Sequence, residues 1–159
     1  MAGLCAAEEG MLQTALEVAR REKPELEAHQ VRAEVKRLAA RYRDLVGTST
    51  EPARRADAFR RLLFESEHYE AVADLESPET LYIDAVLKRR KGYCLSLSVI
   101  ALAVAEEVGA PLFGVAAPNH FFVRYDDGSF RRNLELTRKG TEVTDAEFKK
   151  HTGRGRTRV

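Results

Sequence analysis

The stretch that decides the fold is RRKGYCLSLS, residues 89–98, where a cysteine stands between a glycine-aromatic pair and the start of an apolar run. From Leu95 to Val108 the chain is apolar nearly all round, the pattern of a helix buried on every side, and Gly109 provides its stop. Cys94 therefore opens a central helix. A thiolate rather than a thiol attacks a carbonyl carbon, and the partial positive charge at a helix amino terminus favours the thiolate. Gly92 lets the backbone approach closely and turn sharply just ahead of it, and the amides of the first helical turn can hold an oxyanion. The same position also suits an inert buried cysteine, a common setting for this residue type. Local sequence leaves both readings open.

Upstream, apolar residues recur at spacings of three and four in three stripes: Leu12, Ala15, Leu16 and Ala19; Val31, Val35, Leu38 and Tyr42; Ala56, Phe59 and Leu63. These predict a helical layer, with Pro24 and Pro52 at first-turn positions and Gly47 ending the second helix. SPETLYIDAVLKRR, residues 77–90, predicts a further helix capped by Ser77 with Pro78 in its first turn. Its basic end, Lys88 to Lys91, reads as a solvated run that complements the helix dipole rather than as a nucleic-acid patch.

Downstream, PLFGVAA, HFFVRYD and SFRRNLEL predict three strands. Asp127-Gly128 between the last two is a strong signal for a two-residue hairpin turn. With those two residues as the loop, Asp126 pairs with Ser129 and His120 falls directly opposite Glu135. A carboxylate there could hold the imidazole in one tautomer and stabilise its charged form. A slip of two residues would select Asn133 in one direction and Thr137, which offers no carboxylate, in the other. Glu135 is the first choice as third member of a site with Cys94 and His120, and Asn133 the reserve. Gly92, Tyr93 and Asn119 are candidate site-lining residues. Taken alone, His120 also suits a satisfied core histidine. Thr144 to Glu147, TDAE, predicts a capping box opening a last short helix.

Composition narrows the classes. A chain of 159 residues with 44% apolar and 32% charged residues can bury one core, and a net charge of +1 gives no global attraction to nucleic acid or an anionic membrane. Two cysteines far apart in sequence make neither a disulfide framework nor a four-ligand zinc site, which favours a reducing, cytoplasmic setting. MAGLCAAEEG has no basic region followed by a long apolar run, so no signal peptide is expected. No glycine-rich phosphate loop is present, and Cys94 with His120 lacks evident further metal ligands. No cofactor or metal is expected. Cys5, His29, His68 and His151 read as exposed or terminal positions.

The run AVLKRRKGYCLSLSVIALAVAEEVGAPLFGVAAPNHFFVRY, followed by NLELT, resembles the transglutaminase-like superfamily, and most closely its bacterial branch typified by the N-terminal region of SirB-type regulators. The shared pattern is a helix with a basic end, Gly-x-Cys at the next helix start, a histidine opening a strand, and an acidic residue in the following strand. The resemblance covers roughly residues 78–150. It implies an α+β papain-like fold and a Cys-His-Asp triad falling on Cys94, His120 and Glu135, with LELT standing where lDpT is usual. It also implies helical repeats in a longer parent chain.

The expectation is one transglutaminase-like domain over residues 1–150, helical over 1–76 with the Cys-His-Glu core over 77–150, and a basic disordered tail or truncation point at 151–159. Its expected activity is thiol-based acyl transfer or hydrolysis on a protein or peptide. The competing expectation is a non-catalytic interaction or regulatory module that retains the fold.

Overall fold

A computed structural model describes residues 10–72, 77, 80–118 and 120–147. The three apolar stripes form helices α1 (Met11–Glu22), α2 (Ala28–Val46) and α3 (Pro52–Arg60). Leu16, Ala19, Val35, Leu38, Ala56, Phe59 and Leu63 are all essentially inaccessible to water. Each large apolar side chain so buried contributes on the order of 1.5–3 kcal/mol, which outweighs the few tenths at stake in local helix propensity. Pro52 opens α3 as expected, because its missing N–H would be unpaired there in any case. Pro24 instead lies in the link between α1 and α2, four residues ahead of the second helix. A π-helical turn, Arg61–Ser66, extends α3.

The fourth helix is shorter than its sequence suggests. α4 runs Ile83–Arg89 with Tyr82 at its N-cap, and Pro78 lies outside the described residues. The carbonyl of Ser77 accepts from the amide and hydroxyl of Thr80, and the helix is capped by Tyr82 rather than by Ser77. α5 (Cys94–Val108) is the predicted central helix, stopped by Gly109 in the left-handed conformation. It packs on α1, α2 and α4 and also on the strands Leu112–Ala117 and His120–Asp126. That placement explains its uniform apolarity.

Two sheets complete the fold, an α+β arrangement. β1 (Glu70–Ala71) pairs in parallel with β2 (Lys91–Gly92), a small bridge the sequence pattern did not suggest. The main sheet is antiparallel in the order β3 (Leu112–Ala117), β4 (His120–Asp126), β5 (Arg131–Glu135), β6 (Thr141–Glu142). The hairpin register differs from expectation by two residues. Asp126 faces Arg131 and Val123 faces Leu134, so the loop spans the four residues 127–130. A two-residue loop of the expected kind needs positive φ at both positions, but only Gly128 has it, at 86°. Asp127 instead folds the loop with its own carboxylate, which accepts from Ser129 N, Ser129 Oγ and Phe130 N. At the other end of β4, Ala117 pairs with His120.

The basic end of α4 is tied down rather than merely solvated. Arg90 takes a left-handed conformation, φ 57°, and its guanidinium donates to Tyr69 Oη at 2.6 Å and to Glu34 Oε1 at 2.7 Å, with Glu67 at 3.1 Å. Arg37 joins Glu34 and Glu67 on the outer side of the cluster. Hydrogen bonding from Arg37, and after it from Arg90, holds the Glu34 carboxyl below its ordinary 4.5 against the opposing effect of burial. A depressed folded value means that Glu34 contributes stability above its ordinary range and loses it as pH falls through the lower folded value. Urea unfolding of wild type and Glu34→Gln from neutral to acidic pH should therefore show a gap that is full above 4.5 and closes below it. A gap independent of pH would contradict this.

Candidate active site

The approach to Cys94 is built by close packing. A Cβ on Gly92 would lie 2.7 Å from Ser96 Oγ, 3.1 Å from Val86 Cγ1 and 3.3 Å from Leu97 Cδ2, so only glycine lets this segment run against α5. The sharp turn expected at Gly92 occurs two residues earlier, at Arg90, and Gly92 keeps negative φ. The Arg90 and Gly92 carbonyls accept from Glu70 N and Val72 N at 2.8 and 2.9 Å, which clamps the segment from the β1 side. Tyr93 is the N-cap of α5, and its amide donates to Ser96 Oγ at 3.0 Å. The buried Ser98 hydroxyl donates to the Cys94 carbonyl at 2.7 Å, satisfying a polar group inside an apolar helix. Cys94 is thus held at the first helical position, half-buried and as a free thiol. Burial, and then the neighbouring Cys94, push the Tyr93 phenol above its ordinary range.

His120 and Glu135 meet directly. His120 Nε2 is hydrogen-bonded to Glu135 Oε2, while Glu135 Oε1 accepts from Thr137 N at 3.0 Å and Thr137 Oγ1 at 2.6 Å. Glu135 is only 4% exposed. A buried carboxylate is costly unless its oxygens are paired, and both are. The expected direct opposition of His120 and Glu135 does not occur. The β4–β5 ladder stops at Val123–Leu134, β4 runs three residues further, and the chain after Glu135 rolls into a 3-10 turn, Leu136–Arg138. Glu135 reaches His120 on the diagonal. Thr137, set aside as a partner because it carries no carboxylate, is the residue the sequence reading missed; NLELT contained the signal, a hydroxyl two positions after the acid.

The reserve residue goes elsewhere. Asn133 Oδ1 accepts from Arg124 Nε at 2.7 Å, and its Nδ2 donates to the Val143 carbonyl at 2.9 Å and Asp145 Oδ1 at 2.7 Å. It fastens β5 to the chain beyond β6. There the predicted capping box is present: Thr144 N donates to Glu147 Oε2 at 2.8 Å and Glu147 N to Thr144 Oγ1 at 3.2 Å. Asn119 and Cys5 lie outside the described residues.

Cys94 and the His120–Glu135 pair stand on elements that pack together, α5 and β4. The pleat of β4 sends Val123 and Tyr125 into the main core with α5, and Phe122 into a smaller cluster with Val143 on the other face. His120 has the parity of Phe122. That parity puts His120 on the face of the sheet away from the one that Val123 and Tyr125 pack against α5.

Residues 29–150 match the transglutaminase-like superfamily. The chain belongs to that superfamily. Among curated proteins, this transglutaminase-like chain is 37% identical over 125 residues to a UPF0162 protein of Xylella fastidiosa, covering 74% of this chain and 43% of that one. It is 29% identical over 100 residues to a UPF0162 protein of Buchnera aphidicola, covering 62% and 37%. It is also 32% identical over 81 residues to the F-box only protein 21 of Mus musculus, covering 50% and 13%. The chain spans less than half the length of these relatives. No solved structure matches it. Among the described residues no helix is long and apolar enough to cross a membrane, and no group of three or more His, Cys, Asp or Glu side chains is arranged to hold a metal.

Because Asn133 is 6% exposed and all its polar atoms are engaged, Asn133→Ala should cost on the order of 1–3 kcal/mol in urea unfolding. The His120 ring resonances should stay at their wild-type positions. A shifted His120 ring in that variant would return Asn133 to the site.

Proposed function

We propose that this chain is a cysteine-nucleophile acyl transferase or hydrolase of the bacterial SirB-type branch, acting in the cytoplasm on an amide or ester of a protein or peptide. The observation that supports this most is the buried carboxylate on His120 Nε2. A carboxylate acceptor there keeps the hydrogen on Nε2 in the neutral ring and leaves the Nδ1 lone pair as the base. Nδ1 takes the proton from Cys94 Sγ, and the thiolate attacks the substrate carbonyl carbon, forming a C–S bond and an oxyanion. The Cys94 amide, at the start of α5, faces that oxygen. The oxyanion collapses, the C–N or C–O bond breaks, and the leaving group takes the proton from the imidazolium. Water or an amine, deprotonated by Nδ1, then attacks the thioester, and the C–S bond breaks to restore the thiol.

A second reading is supported by a separate observation. The segment shared with F-box only protein 21 is only 13% of that protein, as befits a module used for binding within larger chains. The two readings part on the chemistry of one sulfur. An electrophilic thiol probe near neutral pH should label Cys94 at least about tenfold faster than Cys5 if the site is armed, and equal slow labelling would favour the module. In an activity screen against amide and ester donors, Cys94→Ala should abolish turnover while the protein stays folded. An unfolded Cys94→Ala would mean that the thiol is a packing residue.

A further inference from the structure

The pairing of β4 with β5 limits which acid can serve at position 135. The ladder ends at Val123–Leu134; continued by one pair, its register would set Phe122 opposite Glu135 and leave His120 diagonal to it. Direct cross-strand neighbours are about 4.5–5.5 Å apart, whereas diagonal ones are about 7–8 Å apart and are bridged only by long side chains. Aspartate lacks one methylene, about 1.5 Å of bond, and from this register falls short of the ring. Glutamate spans the gap, yet its extra torsion lets the carboxylate swing away. Thr137 removes that freedom: its amide and hydroxyl, on the turn that follows β5, both hold Oε1 and aim Oε2 at Nε2. Its hydroxyl hydrogen is spent on Oε1, and the turn fixes its amide.

We propose that Thr137 is a positioning residue that acts through Glu135 on His120, and that the hairpin register of this chain makes glutamate, not aspartate, the acid its site requires. Its catalytic consequence rests on the acyl-transfer reading; the positioning itself does not. The test uses the full chain with labelled histidine, comparing wild type, Thr137→Val, Thr137→Ser and Glu135→Asp, each checked for folding by circular dichroism. Ring ¹⁵N shifts should show wild type and Thr137→Ser in the tautomer protonated on Nε2, with Thr137→Val and Glu135→Asp mixed. Iodoacetamide labelling of Cys94 should fall by at least about tenfold in the same two variants and be kept in Thr137→Ser. A wild-type tautomer in Thr137→Val or in folded Glu135→Asp overturns the proposal, and the aspartate variant serves alone if the valine variant does not fold. Slow labelling in wild type alongside the expected tautomer pattern would support the positioning and remove the acyl-transfer reading instead.

Discussion

The site depends on how one buried carboxylate is satisfied. Among the described residues no arginine or lysine pairs with Glu135; one oxygen is hydrogen-bonded to His120, and the other is taken by the backbone and hydroxyl of Thr137. Left unpaired at this depth, such a group would cost several kcal/mol, comparable to a sizeable share of a domain's whole stability. The fold therefore holds its acid in a single geometry, and that geometry fixes the imidazole as well. The same three contacts that make burial tolerable give the ring its orientation. Glu135 thus links the burial of a carboxylate to the orientation of a ring.

Cys94 is positioned by a different set of contacts. The left-handed Arg90 turns the chain out of α4 and is locked by Tyr69, Glu34 and Glu67; the β1–β2 bridge straightens it; Gly92 passes against Ser96 where a side chain cannot fit. Apart from Ser96, each contact comes from an element distant in sequence. Cys94 is thereby placed by the helical layer, while His120 and Glu135 are placed by the sheet. α5, wedged between the two layers, is their common reference.

The parts legible in the sequence were those with a local cause. Helical stripes, the buried α5, three strands and the TDAE capping box follow from periodicity and capping chemistry that neighbouring residues decide. The basic run at residues 88–91 and the Asp127 loop misled for the opposite reason. Arg90 looked solvated because its partners Glu34, Glu67 and Tyr69 lie 21 or more positions away, and Asp127-Gly128 suggested a tight turn because the competing bonds from Ser129 and Phe130 depend on side-chain geometry. Glu135 meets His120 although the register that would set the two directly opposite does not form. The pairing exists because a longer side chain and a threonine two residues on compensate for the shift. β6 and the β1–β2 bridge, at two residues each, are too short to leave a periodic trace.

The proposed site requires the Cys94 thiol and the His120 ring to meet, and the separation of Cys94 Sγ from His120 Nδ1 tests it most directly. A crystal structure of the chain should show Nδ1 turned toward the sulfur within roughly hydrogen-bond reach, about 3–4 Å, with Nε2 on Glu135. A ring and a sulfur held well beyond that reach, with no rotamer of either side chain closing the gap, would contradict the account.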